Sequence, residues 1–199
     1  MEQRRVLLWS LALALLTILS ILFIDRPLAA ALAPSERAMQ SATGPIIHAL
    51  EVTFGFPISK FLTGAVILVA SLALFPFARF RPTARILLFV GAAQFTARLV
   101  AGVLKNVFLR PRPYETYTGF FSDGSSFPSG HAAHFWPFFF AAIIAFPRWR
   151  IPLLILAAFV SVSRVLVNDH YLGDVLASGA IAAIVTYGYA RLPILKRAP

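Results

Sequence analysis

Residues 6–24 read VLLWSLALALLTILSILFI, an apolar run without a charged side chain. An α-helix rises about 1.5 Å per residue, so about 20 such residues cross the roughly 30 Å hydrocarbon core of a bilayer. Arg4 and Arg5 precede the run, and Ala31-Leu32-Ala33 lies downstream of it. A cleavable signal peptide is therefore the alternative, although the apolar region of such signals is usually only about 7–15 residues long. The run predicts a first transmembrane helix.

The rest of the chain repeats this pattern. Apolar residues make up 59% of the sequence and charged residues 13%, about half of the charged share in soluble domains. Residues 27–60 mix prolines and polar residues with short amphipathic pieces, which predicts a helix at the membrane interface. We therefore predict an all-α, polytopic membrane helix bundle that forms a single domain over residues 1–199. Five further transmembrane helices are expected at residues 61–77, 86–108, 131–146, 151–167 and 172–190.

The formal net charge of +10 could indicate a nucleic-acid partner, but the basic residues sit at the ends of apolar segments. That distribution favours lipid headgroups and the positive-inside rule, so we expect membrane lipids as partners and no nucleic acid. Both termini and two short basic loops are then cytoplasmic, and the loops after the first, third and fifth helices face outward. The basic residues concerned are Arg79, Arg81 and Arg85, then Arg148 and Arg150, and finally Arg191, Lys196 and Arg197.

Two groups of polar residues in the first half of the chain have ordinary explanations. Gln94, Arg98 and Lys105 share one face of the third predicted helix, which places them against other helices or a wet cavity. We expect Arg98 to have a structural role, with a place in a pocket as the alternative. His48 and Glu51 are three residues apart on an amphipathic segment and are expected on a solvated face.

Residues 163–174 read SRVLVNDHYLGD and interrupt the apolar pattern with groups that can do chemistry. Arg164 carries a guanidinium fork suited to phosphate. His170 and Asp174 are four residues apart and share a face if the segment is helical. A carboxylate there can fix the tautomer of the imidazole and leave its other nitrogen free to attack. The alternative is an ordinary helix cap with a solvated acid in the first turn.

Two more segments are predicted at the same, outer face of the membrane. Lys105 is followed seven residues later by Arg112 and Pro113, where prolines stiffen the chain; an anchor to the membrane surface is the alternative. Pro128-Ser129-Gly130-His131 leads into the fourth predicted helix, whose free amides and dipole favour an anion. The alternative there is a simple Ser129 N-cap.

Together, the order and spacing of these three segments resemble the type 2 phosphatidic acid phosphatase superfamily of membrane-bound lipid phosphatases. The resemblance implies that His170 attacks phosphorus and forms a phosphohistidine, with Asp174 orienting it. His131 would protonate the leaving oxygen and later activate water. The phosphate oxygens would be held by Lys105, Arg112, Arg164, the Ser129 side chain and the Gly130 amide.

The same resemblance implies a lipid phosphate substrate, no cofactor, and a site at the exterior face of the bacterial inner membrane. Undecaprenyl diphosphate or phosphatidylglycerol phosphate is favoured, and lipid A follows. A metal site using His134 with His131, His170 and Asp174 is the alternative, but neighbouring cations would repel a divalent ion. Two other functions stay open: a phosphotransferase that uses the same phosphohistidine, and an anion-binding channel or scaffold. The sequence does not indicate an oligomeric state.

Overall fold

The structure, a computed structural model, describes residues 2–193. The side chains of Arg4 and Arg5 lie outside the described part, as do Lys196 and Arg197. Within residues 2–193 the chain forms α-helices and short turns of helix and no strand, as the sequence predicts. The α-helices are α1 (Glu2–Leu19), α2 (Asp25–Leu32), α3 (Glu36–Thr53), α4 (Leu62–Leu74), α5 (Arg81–Phe108), α6 (Gly130–Ala145), α7 (Arg150–Leu166) and α8 (Leu172–Ala190).

Four helical stretches are long and apolar enough to cross a membrane: Ser10–Thr53, Ala78–Phe108, Pro147–Leu166 and Leu172–Ala190. Helices α4 and α6 are apolar but shorter, with 13 and 16 residues. The chain is therefore a multi-pass, all-helical membrane protein. The count of six transmembrane helices stays a prediction.

The first predicted helix continues without a break into the helix predicted at the membrane interface. A π-helical turn at Ser20–Ile24 joins α1 to α2, and a 3₁₀ turn at Ala33–Ser35 joins α2 to α3. Pro27 and Pro34 each lie near the start of one of these segments, where a missing backbone N–H costs little. The predicted end of helix at Ile24 is therefore wrong. Helix α3 packs through Ile47 into an apolar cluster with residues of α6 and α7.

The first predicted basic loop is also shorter than expected. Arg81 and Arg85 belong to the first turns of α5, where Pro82 occupies an early helical position that suits its fixed φ. Arg79 lies in a 3₁₀ turn, Ala78–Phe80, that leads into the helix. The positive charge at this end of the bundle is therefore carried partly by a helix start.

Helices α5, α6 and α8 contact one another at the centre, with α4 against α5, α1 against α8 and α7 against α6. Small residues let the inner helices approach closely, as is common in membrane bundles. The outer helices expose large apolar side chains that suit lipid. Fully buried alanines at the centre are Ala84, Ala93, Ala97, Ala101, Ala132, Ala133, Ala141 and Ala182, and exposed apolar residues include Leu11, Leu22, Val69, Leu72, Ile151 and Ile155.

One end of the bundle gathers the ends of four helices. The backbone N–H of Ser129, just before α6, donates to the carbonyl of Asp174 in the first turn of α8 at 3.1 Å. The loop at residues 109–129, between α5 and α6, folds back so that the Ser126 N–H donates to the Arg110 carbonyl at 2.8 Å. Gly124 is required here, because a Cβ would lie 2.2 Å from the Arg110 backbone. The three sequence segments therefore meet at this end.

Candidate active site

The turn between α7 and α8 positions His170. Asn168 has a φ of 56° and reverses the chain at the end of α7, a left-handed position that asparagine tolerates better than most residues. The backbone N–H groups of Asp169 and His170 then both donate to the Arg164 carbonyl at 3.1 Å. The imidazole is 2% exposed, so it is held inside the protein at the end of the bundle.

Asp174 stands behind His170. Its Oδ2 lies 3.5 Å from Nδ1 of His170 and accepts the backbone N–H of Tyr171 at 3.0 Å. The hydroxyl of Ser126 also donates to Oδ2 of Asp174. This carboxylate therefore faces Nδ1, and Nε2 is the ring nitrogen directed away from Asp174.

His131 lies in the first turn of α6, next to the helix start. Ser129 is buried, and its hydroxyl accepts the Ala132 N–H at 3.5 Å, so this serine acts as an N-cap. Nε2 of His131 lies 2.5 Å from Oε1 of Glu51 on α3, and the Phe56 ring stacks on the imidazole at 4.7 Å. Two groups from outside the three segments thus fix this ring.

The three predicted phosphate-binding cations lie around the histidines, and two of them share one carboxylate. Arg112 binds Oδ1 of Asp169, and Arg164 binds Oδ2 of the same residue. Oδ2 of Asp169 is also 3.9 Å from Nε2 of His170. Lys105 donates from Nζ to the Ser125 carbonyl and, at 3.3 Å, to the Ser126 carbonyl. Side-chain cations of α5, the loop and α7 therefore converge on one place.

A buried ion-pair cluster lies on the other side of Asp174. Arg110, fully buried, places Nη1 2.6 Å from Oδ1 of Asp174 and Nη2 2.8 Å from Oδ2 of Asp25. Arg110 therefore forms an ion pair with each of the two carboxylates. The rings of Tyr171 and Phe120 flank the guanidinium at 3.9 and 5.0 Å.

The remaining polar residues of this region have packing roles. His134 is buried, with Nδ1 2.9 Å from the Gln94 amide nitrogen and Nε2 3.4 Å from the Thr63 hydroxyl, so it packs within the bundle. Arg98 is 4% exposed and lies beside Gly130, and in the described part of the chain its Nε and Nη1 have no hydrogen-bond partner. The structural role expected for Arg98 therefore stays a prediction.

Three potential metal ligands also meet here. Ring nitrogens of His131 and His170 and a carboxylate oxygen of Asp169 lie within 4.8 Å of one another. This set differs from the alternative drawn from the sequence, because neither His134 nor Asp174 belongs to it. Both oxygens of Asp169 already bind guanidinium groups, which compete with a divalent cation for the carboxylate.

The charge states of the turn residues suit attack on phosphorus. Burial lowers the pKa of His170 below its ordinary value, although Asp174 and Asp169 act in the opposite direction. The imidazole is therefore neutral near pH 7. Burial alone would raise the pKa of Asp169, but His170, Arg164 and Arg112 outweigh it and hold that pKa well below the ordinary value. Asp169 is therefore an anion among cations.

Sequence reasoning missed several polar residues of this site. Asp25 looked like the end of a transmembrane helix, and Glu51 was expected on a solvated face, where the structure does not put it. Asp169 and Ser126 lay between motif positions without a pattern of their own. Asp25 was the most detectable, since an acid beside an apolar membrane segment is costly unless it is paired.

Comparisons with known proteins show the family of this chain. A sequence profile described as PAP2 superfamily matches residues 82–197. A lipid A 1-phosphatase from Rhizobium johnstonii is 33% identical over 184 residues, which covers 83% of this chain and 72% of that protein. A lipid A 1-phosphatase from Rhizobium etli is 33% identical over 140 residues, covering 61% of this chain and 60% of that protein.

A solved structure has a similar fold. The crystal structure of a transmembrane PAP2-type phosphatidylglycerolphosphate phosphatase from Bacillus subtilis superposes with a TM-score of 0.55. The superposition covers 90% of this chain and 93% of that one, at 20% sequence identity. At that identity the likeness concerns the fold alone.

Proposed function

This chain belongs to the PAP2 superfamily, and on that premise we propose that it is a lipid phosphatase working through a phosphohistidine without a metal ion. The observation that carries the proposal is the meeting of His131 and His170 nitrogens within 4.8 Å, beside Arg112 and Arg164. One phosphoryl group can contact both histidines at that separation. The guanidinium groups supply the positive charge that a metal ion provides in other phosphatases.

In the first step, Nε2 of His170 attacks phosphorus and the bond to the lipid oxygen breaks. The leaving oxygen takes a proton from His131, and the phosphoryl group stays on His170. Asp174, facing Nδ1 at 3.5 Å, holds the tautomer with a free Nε2 and stabilises the positive charge that develops on the ring.

In the second step, water attacks phosphorus and the bond to Nε2 of His170 breaks. His131, now neutral, takes the proton of the attacking water, so the same residue acts as acid and then as base. Inorganic phosphate leaves, and both histidines return to their starting states. Lys105, Arg112, Arg164, Ser129 and Gly130 are the proposed phosphate-binding residues throughout.

For the substrate, we propose a phosphorylated glycolipid of the lipid A type first. Two relatives at 33% identity are lipid A 1-phosphatases, and one of them aligns over most of this chain. Undecaprenyl diphosphate and phosphatidylglycerol phosphate, which the sequence favoured, follow. The lipid would present its phosphate at the end of the bundle where α6 and α8 begin.

For the orientation, we propose six membrane crossings in the plasma membrane of a bacterium, with the site facing the exterior. Basic residues at the opposite end of the bundle support this choice under the positive-inside rule, namely Arg79, Arg81, Arg85, Arg148, Arg150 and Arg191. Both termini would then be cytoplasmic.

The test is phosphate release by the purified protein in the presence of EDTA, across lipid A, prenyl diphosphates, phosphatidylglycerol phosphate and phosphatidic acid. We expect release that EDTA does not reduce and that His170→Ala abolishes. A strict requirement for added divalent metal would refute the metal-free mechanism. Label passing to an acceptor lipid instead of to free phosphate would identify a phosphotransferase, and anion binding without turnover would identify a channel or scaffold.

A further inference from the structure

Asp25 is a buried carboxylate placed between the amino-terminal helices and the turn that carries His170. It is 1% exposed and begins α2, directly after the π-helical turn at Ser20–Ile24. Its Oδ1 accepts the Ser20 hydroxyl at 2.6 Å and the backbone N–H of Gly173 at 2.8 Å. Asp25 therefore caps the start of α8 from a distant part of the chain.

The approach of Asp25 to α8 depends on a glycine. A Cβ on Gly173 would lie 2.8 Å from Oδ2 of Asp25 and 2.9 Å from the Ile21 side chain. Such distances are too short for real contacts, so any larger residue would push the amino-terminal helices away. Gly173 immediately precedes Asp174, and the close contact therefore links Asp25 to the residue behind His170.

Arg110 connects the two carboxylates. Its guanidinium lies 2.8 Å from Asp25 and 2.6 Å from Asp174, and Tyr171 and Phe120 cover its faces. Arg110 is fully buried, so it is not placed as a surface anchor. A buried arginine bound to one carboxylate would neutralise it, and a second carboxylate leaves the cluster with a net negative charge.

We propose that Asp25 is a positioning residue for the reaction, which acts through Arg110 and Asp174 on the nucleophile His170. This inference rests on the proposed function of His170. With Asp25 present, Arg110 shares its charge between two carboxylates, and Asp174 keeps its negative charge effective toward Nδ1 of His170. Without Asp25, Arg110 would neutralise Asp174, and the charge that develops on the ring during attack would lose its stabilisation.

Other polar and charged groups also face His170 and contribute to the electrostatic environment of its ring. Asp169 lies on the side of Nε2 and Ser126 lies 3.5 Å from Nδ1, while Lys105 of α5 opposes the carboxylates with a positive charge. The guanidinium groups of Arg112 and Arg164 bind the Asp169 carboxylate, and a ring nitrogen of His131 on α6 lies within 4.8 Å of one of His170. None of these groups touches Asp25 in the described contacts, where the partners of Asp25 are Ser20, the Gly173 N–H and Arg110. Of these three, only Arg110 carries a charge to Asp174.

The test compares the pH–rate profile of the purified full-length protein with the profiles of two variants. One variant lacks a negative charge of the cluster, and the other lacks its positive charge. Asp25→Asn keeps an oxygen for the Gly173 N–H and removes one negative charge. We expect kcat to fall on the order of tenfold to a hundredfold, as for other residues that orient a reacting ligand, with KM changed less than about twofold. The acid limb of the profile should move to lower pH, because the neutral imidazole is favoured.

Arg110→Gln removes the positive charge instead, so the acid limb should move to higher pH. The Arg110→Gln variant also keeps the proposal testable if Asp25→Asn does not fold. Ser20→Ala is the matched control, because it removes a partner of Asp25 and leaves every charge in place; its acid limb should stay at the wild-type position. Thermal unfolding is measured for each variant.

A purely structural role predicts lower yield or thermal stability with an unmoved acid limb. That outcome, or wild-type kinetics in Asp25→Asn, would overturn the inference. If the wild-type protein released no phosphate from any substrate, the proposed function itself would be refuted. A failure of the Asp25 inference and a failure of the proposed function therefore give different results.

Discussion

Oδ2 of Asp169 lies 3.9 Å from Nε2 of His170, the ring nitrogen that attacks phosphorus in the proposed mechanism. The same carboxylate binds Arg112 and Arg164, two of the proposed phosphate ligands. Its low pKa keeps it charged throughout the working pH range. In the proposed mechanism, Asp169 would therefore compete with a phosphate group for the same cations.

Asp169→Asn should strengthen inhibition by inorganic phosphate and by vanadate, a mimic of pentacoordinate phosphorus. Removing the competing charge leaves both guanidinium groups available, and we expect inhibition constants lower by up to about tenfold, or about 1.4 kcal/mol. The measurement is a set of inhibition curves at fixed ionic strength. Weaker inhibition in the variant would mean that Asp169 orients the arginines more than it competes.

The pH dependence follows from the burial of His170. Its pKa lies below the ordinary value of about 6.5, and the neutral imidazole is the reactive form. Activity is therefore present above the lowered pKa and is lost as the pH falls through it. We expect the acid limb of kcat/KM to have its midpoint below pH 6.5, and a midpoint above 7 would contradict a buried neutral nucleophile.

Glu51→Gln tests the contact between α3 and the proposed acid. The carboxylate lies 2.5 Å from Nε2 of His131 and stabilises the protonated ring that gives its proton to the leaving oxygen. We expect kcat for a lipid substrate to fall by about tenfold or more. The loss should be smaller for a substrate with an activated leaving group, because that group leaves without taking a proton. Val52→Ala is the control, because Val52 follows Glu51 on the same helix and is 56% exposed. Equal losses on both substrate types would contradict the role.

Gly173→Ala tests the packing of the amino-terminal helices independently of chemistry. The added methyl group would meet Asp25 and Ile21, so we expect a lower thermal unfolding temperature in detergent. Gly179→Ala is the matched control on the same helix, since nothing lies within 4 Å of its added Cβ. Alanine is the better helix former by about 1 kcal/mol, so the control should be as stable as wild type or more so. Equal stability of the two variants would contradict the close approach of Asp25.

The helices were largely predictable because their signals are local. The predicted sixth helix, residues 172–190, has the observed bounds of α8, and the loop over residues 109–128 was expected from its prolines and glycines. The continuity of α1, α2 and α3 was not predicted, because the sequence around residues 27 and 34 does not tell a proline in a first helical turn from one that follows a helix. The start of α5 at Arg81 was missed because Arg81 and Arg85 were assigned to a basic loop.

The partners of the site were less predictable because they come from far along the chain. Gly173 and Asp25 are 148 residues apart, and His131 and Glu51 are 80 apart. Three segments with fixed spacing could be recognised as belonging together, since each spacing follows from one helix end. No spacing connects Asp25 or Glu51 to those segments, so only the packing of α1, α2 and α3 against the bundle reveals them.

The central claim is that His170 carries the phosphoryl group, and trapping that group tests it most directly. The protein is mixed with a lipid substrate labelled with ³²P on the reacting phosphate, quenched in alkali, where phosphohistidine survives, and mapped by peptide mass spectrometry. His131→Ala with an activated leaving group should accumulate the intermediate, because the step that needs a base to activate water is slowed. We predict label on His170 and none in His170→Ala. Label on another residue, or full turnover by His170→Ala, would contradict the account.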